Sequence, residues 1–467
     1  MHANSFSIEL QQALRLAAEA VRGAGKSERL VLVSATQPIA PCLDPGEIFA
    51  RAGRLGEART FFSRLAEDYW IVGAGEASAI SISGKRRFHD AVLAHQAVAD
   101  SAFVGEGTSR PPGPLFFGCF GFSSEVSHDG PWKGIPNGLL LLPRWIFVKR
   151  RDACWARINL LVNRKTCVDE VQGQLRMEAD KLLSPAAQSS NPSIAVPKDE
   201  LSFERWRRSV EEVLAEIQQG KVTKVTLART LQLQAATAIS PEPVLQRLLA
   251  AYPSCIVFAV ARPGMCFLGA TPEELVSLGE GRARSTCMAG SAWRFAANGG
   301  HPSAEGSLVW GEKELREHAL VADWVGERMG RFCHELDRDR APQPVRIGHL
   351  YHLATHFSGV AQSGTHVLDL VAALHPTPAV GGIPLEPALG MIRRLEAHDR
   401  GWYGGPVGWL DGRGGGHFGV AIRSALLRGN QALLYAGAGL VEGSEAKTEY
   451  EETEMKFVPL LSALDVA

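Results

Sequence analysis

The sequence predicts an α+β fold, on three observations. The 467-residue chain is 45% hydrophobic and 21% charged, the balance of a folded globular protein and not of a disordered, collagen-like or coiled-coil one. A helical pattern over residues 203–217 runs straight into a strand pattern at 221–230, so both element types occur in one unit. Beyond them helices and strands mix without the regular alternation of a doubly wound sheet.

The elements follow in chain order. In residues 7–22, Leu10, Leu14, Ala17 and Val21 recur every three or four positions, which predicts an amphipathic helix ended by Gly23 and Gly25. Residues 184–200 set Pro185, Pro192 and Pro197 among small polar residues and read as a linker or long connection. It separates an N-terminal α+β region, 1–195, from a region at 200–467, the two packed as one large unit. Ser202 stands where a helix N-cap belongs, and Phe203, Trp206, Val210, Val213, Leu214 and Ile217 keep helical spacing until Gly220. In the strand that follows, Val222, Lys224, Thr226 and Ala228 face one side, and Val225, Leu227 and Arg229 face the other.

Charge and cysteine usage narrow the setting. With 49 Lys+Arg against 50 Asp+Glu, no summed field favours nucleic acid or an anionic membrane, so anion recognition has to be local. The eight cysteines are scattered and contain no CxxC pair, as expected for a reduced compartment. Glu9 and Glu19 interrupt the first twenty residues, and no stretch reaches the roughly 18–20 apolar residues of a membrane span. These features predict a cytoplasmic protein.

Chemistry-bearing residues cluster at helical spacing in two places. Glu314, Glu317 and His318 stack along one face of GEKELREHALVADWVGERM, and Glu449, Glu452 and Lys456 along one face of EAKTEYEETEMKFVPLL. Two such helices, if they face each other, offer carboxylate oxygens to a hard cation such as Mg2+; taken singly, each reads more readily as a solvated helix face. The glycine-rich YAGAGLVEGS, read as a turn, leads into the second cluster and lets a ligand approach main-chain N–H groups at Gly437 and Gly439.

Lys224 and Glu273 are the candidates for proton transfer. A lysine acting as base near neutrality has to fall from about 10.4 toward about 7 or 8, which asks for roughly 3–5 kcal/mol of desolvation and cationic neighbourhood. Gly269 and Pro272 break the strand before Glu273 and present the carboxyl at its end. Arg423 reads as an arginine inside an apolar strand, tolerable where its guanidinium meets a carboxylate or water. The segment at 375–384 is stiff and sharply turned, and STCMAGSAWR gives easy backbone approach at Gly290 and Ser291.

Read together, KVTLAR, LGATPEEL, MAGSAWR, EKELREHALV, YHLATHFSG, LHPTPAVGGIP, RGWYGGPVGW, AIRSAL, AGAGLVEGS and EYEETEMK resemble, in order from about residue 203 to 464, the chorismate-utilising enzyme family. The resemblance implies two antiparallel sheets layered between helices, with an active site between them. It implies a Mg2+-dependent isomerisation of chorismate to isochorismate, with chorismate as the small-molecule partner and neither nucleic acid nor membrane. Residue by residue, Lys224 matches the base that activates water for attack at ring C2. Glu273 matches the acid that protonates the departing C4 hydroxyl. Glu317 and Glu452 match Mg2+ ligands, with Glu314 and Glu449 as water-mediated partners. Tyr403, Arg423, Gly437, Gly439 and Lys456 match positions around the substrate carboxylates, and Gly290, Ser291, His352, Thr355 and Ala379 match positions lining the same cleft.

The resemblance also separates branches of the family. Anthranilate synthases usually carry glutamine where Lys224 stands, and aminodeoxychorismate synthases carry lysine at the position of Ala289. Salicylate synthases keep base and acid and then eliminate pyruvate; they usually lack the Thr377-Pro378 pair, which favours the simple isomerase. A non-catalytic chorismate-binding module is the remaining alternative. FFGCFGF at 116–122 looks more like the menaquinone-associated members than the siderophore-associated ones.

Overall fold

In the computed structural model, which describes residues 10–23, 30–40, 44–105, 113–125, 129–185, 194, 203–293, 310–347 and 350–466, the expected mixture forms a network of almost wholly antiparallel strands. Two long strands, Tyr69–Ile82 and Gly138–Arg150, pair along their length and are shared by two sheets. The first sheet continues through Arg59–Arg64, Ile256–Arg262, Met265–Thr271, Ser424–Arg428 and Gln431–Leu440 to Lys224–Gln234. The second continues through Phe116–Phe120, Pro406–Leu410, Gly416–Val420, Glu274–Gly279 and Arg282–Trp293 to Leu350–Ala361. Strands from the first third of the chain thus pair directly with strands from the last half.

The sheets meet across an aromatic-rich cluster that includes Phe117, Phe258, Phe267, Trp402 and Tyr435. Helices close the outer faces. Val244 and Leu248 of Pro241–Ala251 and Phe457 and Leu460 of Ala446–Leu464 pack on the first sheet with Leu231 and Leu434. Val321 and Val325 of Glu312–Met329 and Leu370 of Val367–Leu374 pack on the second with Leu275, Cys287 and Phe357. At about 1.5–3 kcal/mol for each fully buried aliphatic side chain, this burial fixes where the two acidic helices lie. Among the described residues no helix is long and apolar enough to cross a membrane.

The sequence pattern misjudged some local details. The first helix runs Gln11–Gly23, and its buried stripe is Ala13, Leu16, Ala17 and Ala20; Leu10, Leu14 and Val21 flank it half-buried, because the small alanines allow the closest approach to the sheet. Gly269 lies inside the strand Met265–Thr271 and does not break it; a side chain there would meet the Arg423 carbonyl oxygen, and Pro272 alone ends the strand. The helix Phe203–Gln218 buries Trp206, Val210 and Val213 as expected. Its N-cap candidate Ser202 and most of the 184–200 connection lie outside the described residues.

Candidate active site

A cavity open to solvent lies where the ends of both sheets meet the two acidic helices. The first sheet contributes Lys224 and Thr226 from one strand and Gly437 and Gly439 from its neighbour. The second contributes Met288, Ala289, Gly290 and His352. Glu317 enters from Glu312–Met329, and Glu452 and Lys456 enter from Ala446–Leu464. Loops bring Pro272, Glu273, Ala379, Val380, Tyr403, Ile422 and Arg423.

The strand alternation read from the sequence holds here. Lys224 and Thr226 face the cavity, while Val225 and Leu227 pack into the core behind them. Lys224 is 1% exposed, and its Nζ donates to Glu317 Oε1 at 2.8 Å. The segment containing Gly437 and Gly439 is a strand, Gln431–Leu440, and not the turn its composition suggested. Strand pairing with Lys224–Gln234 overrides the turn propensity of glycine, and the missing side chains leave space where it is needed. A Cβ on Gly439 would stand 2.6 Å from Glu317 Oε1 and 3.0 Å from Lys224 Cε.

Gly290 serves a second close approach. It is the extra residue of a bulge between Ala289 and Ser291, with φ of 76°, and a Cβ there would lie 2.9 Å from the Glu314 carbonyl oxygen. The bulge lets the helix carrying Glu317 seat directly on the strand. His318, next to Glu317, is held from both sides: Nδ1 lies 3.2 Å from Ala289 O and Nε2 lies 2.7 Å from Thr355 Oγ1.

Glu273 is 3% exposed in the gap between Met265–Thr271 and Glu274–Gly279. Burial pushes its carboxyl up to about 7, against the opposing pull of Lys224, the Thr377 hydroxyl and Arg423. Thr377 Oγ1 is 3.5 Å from Glu273 Oε1, a long contact. A carboxyl in this state carries a transferable proton near neutrality.

Arg423 is not inside a strand, contrary to the sequence reading. It falls at the break between Gly416–Val420 and Ser424–Arg428, where the chain passes from the second sheet to the first, and adopts φ of 50°. The apolar residues around it belong to two strands and not one. Its carbonyl accepts from Ala270 N–H at 3.1 Å, and burial depresses its guanidinium from the usual arginine range. Tyr403 stacks on Tyr435 with ring centroids 4.8 Å apart. Lys456 Nζ donates to Gly437 O at 2.8 Å and pairs with Glu452. His352 is held neutral, its pKa lowered to about 3 by burial and by Arg423 and Lys456.

Of the residues singled out in the sequence, Lys224, Glu273, Gly290, Glu317, His352, Ala379, Tyr403, Arg423, Gly437, Gly439, Glu452 and Lys456 line this one cavity. Glu314, Glu449 and Thr355 do not line it; the Thr355 hydroxyl meets His318, and Glu449 is buried at 1% exposure. The backbone of Ser291 lies in the strand beside Gly290, paired with His352. Thr226 follows from the strand face it shares with Lys224; Pro272, Met288, Val380 and Ile422 escape the sequence reading as lining residues, because apolar walls carry no chemical signature.

Two carboxylates, Glu317 and Glu452, thus open onto one space with three cationic side chains, Lys224, Arg423 and Lys456. Among the described residues no three His, Cys, Asp or Glu gather tightly as metal ligands. One or two carboxylates completed by water and ligand oxygens is the donor set that Mg2+ accepts, so the residues present fit it.

This combination of fold and site defines a class. The chain belongs to the chorismate-binding enzyme family, whose model matches residues 17–465. Among its relatives it is 30% identical over 452 residues to the isochorismate synthase MenF of Bacillus subtilis, covering 95% of this chain and 96% of that one. It is 32% identical to the salicylate biosynthesis isochorismate synthase of Pseudomonas aeruginosa, covering 94% and 91%. The solved structure of MenF, the menaquinone-specific isochorismate synthase of Escherichia coli, shares the fold with a TM-score of 0.76 at 22% identity, over 97% of this chain and 99% of that one.

Proposed function

We propose that this chain is an isochorismate synthase that converts chorismate to isochorismate, with Lys224 as base and Glu273 as acid. The observation that carries the reading is the convergence of a buried lysine, a buried carboxyl raised to about 7, and two further basic side chains, Arg423 and Lys456, on one cavity in a chain of this family. A dicarboxylate substrate asks for local positive charge. With Glu273 protonated and Lys224 neutral, as its role as base requires, Arg423 and Lys456 only offset Glu317 and Glu452, so a divalent cation held by those two carboxylates would supply the two positive charges that a dicarboxylate asks for. When bound, that cation supplies a fixed charge for a substrate carboxylate.

The residues then act as follows. Lys224, as the neutral amine, gives up its hydrogen bond to Glu317 and accepts a proton from water as the water oxygen bonds to ring C2. Both ring double bonds shift by one position, from C1=C2 and C5=C6 to C1=C6 and C4=C5, the C4–O bond breaks, and Glu273 donates its proton to the leaving hydroxyl. One water enters and one leaves, and the product is an isomer of the substrate. Arg423, Lys456 and Tyr403 hold the substrate; the apolar walls of Val380, Ile422 and Met288 exclude competing water.

Chromatographic identification of the product formed from chorismate, with and without Mg2+, tests the reading. A single isochorismate product that requires Mg2+ supports it. Pyruvate release in a lactate dehydrogenase-coupled assay replaces it with salicylate formation, and ligand binding with no product replaces it with a non-catalytic module.

A further inference from the structure

Along the outer edge of the Lys224–Gln234 strand, backbone pairing gives way to side chains. Gly382–Ile383 pairs with Val225 and Lys224, and Thr226 N–H donates to Gly381 O at 2.8 Å. Past that point an ion pair takes the place of a strand. Thr226 O accepts from Arg400 Nη2 at 2.8 Å, and Ala228 N–H donates to Glu396 Oε1 at 2.7 Å. Arg400 and Glu396 have side chains each 4% exposed and are joined through Nε and Oε2 at 2.9 Å. Arg400 Nη1 donates to Val380 O at 2.7 Å, and its guanidinium lies 4.2 Å from the Phe122 ring.

A buried guanidinium costs several kcal/mol unless its donors are filled. Here Nε, Nη1 and Nη2 all have partners, on three different parts of the chain. One rigid planar group therefore spans the strand that carries Lys224 and the loop that carries Thr377, Ala379 and Val380. That loop in turn places the Thr377 hydroxyl at Glu273. Neither Arg400 nor Glu396 lines the cavity.

We propose that Arg400, held by Glu396, is a positioning residue that sets the spacing between the Lys224 strand and the Thr377–Gly381 loop, and through that loop the seat of Glu273. The inference rests on the reading of Lys224 and Glu273 as base and acid. Lysine cannot replace this arginine, because a point charge on a flexible stem does not bridge two fixed carbonyls while pairing bidentately with a carboxylate.

Two variants test it. Arg400→Lys keeps the charge, and the double variant Arg400→Met/Glu396→Gln removes both charges, so that no unpaired ion is left buried. Both are assayed for kcat and KM with chorismate well below their unfolding midpoints. Hydrogen exchange is followed in the segments 224–228 and 377–383. A displacement of about 1 Å at the reacting groups costs about 100-fold, so kcat falls about 30- to 100-fold in both variants while KM stays within about threefold, and exchange in the two segments rises together. A folded variant with kcat within about twofold of the parent, or exchange that rises in only one segment, overturns the proposal. If the parent protein forms no isochorismate, the base and acid reading fails, and the exchange experiment alone decides whether the clamp exists.

Discussion

Lys224 Nζ and Glu317 Oε1 lie 2.8 Å apart directly over Gly439, whose missing side chain makes room for them. Gly439→Ala places a methyl group against both partners. Overpacking of this kind costs about 1–3 kcal/mol of stability, and the displaced amine lowers kcat by at least about tenfold. Turnover and thermal unfolding of the purified variant check this; parental kcat would show that the pair need not sit where it does.

Lys224→Ala and Glu273→Gln each remove one half of the proposed proton transfer. General acid–base groups contribute about 10²–10⁴-fold, so product formation falls by at least about 100-fold in either variant while circular dichroism stays unchanged. Near-normal turnover in one of them removes that residue from its assigned role.

Glu273 ties function to stability through pH. Its folded pKa of about 7 exceeds the unfolded value of about 4.3, so between these pH values the folded state holds a proton that the unfolded state has released. Stability therefore falls as pH rises through that window, and above it the penalty is roughly 3–4 kcal/mol. Glu273→Gln does not titrate. Its stability relative to the parent is near zero at pH 4 and grows to roughly 3–4 kcal/mol at pH 8, read from denaturant midpoints. A difference independent of pH contradicts the buried, protonated carboxyl.

Glu317→Gln and Glu452→Gln weaken Mg2+ binding by at least about tenfold in calorimetric titrations, since each removes a charged oxygen that opens onto the cavity. Glu314→Gln and Glu449→Gln weaken it less, because neither lines that space. Equal losses in all four variants would place the cation elsewhere.

Much of this site could be read in the sequence because its chemistry is periodic. Lys224 and Thr226 alternate with Val225 and Leu227, and Glu317, Glu452 and Lys456 recur on helical faces, so local spacing groups them on common faces, and the ordered motifs of the family resemblance turn those faces inward. Gly437 and Gly439 were read as a turn because composition registers the lack of side chains but not the strand that pairs with them. Arg423 was read inside a strand because apolar residues flank it on both sides, and the passage from one sheet to the other leaves no local mark. Arg400 and Glu396, four residues apart, look like an ordinary surface pair. What buries them is the open edge of a strand some 170 residues earlier, a long-range fact that no local pattern carries.

The crossing at Ile422–Arg423 has one more consequence. A single stretch of covalent backbone forms part of the cavity wall and ties the two β-layers together at that point, with Arg423 O hydrogen-bonded to Ala270 N–H. The layers cannot part there without breaking that bond and pulling the arginine out of place. A cleft stitched along this seam keeps the Arg423 guanidinium at one place relative to both layers.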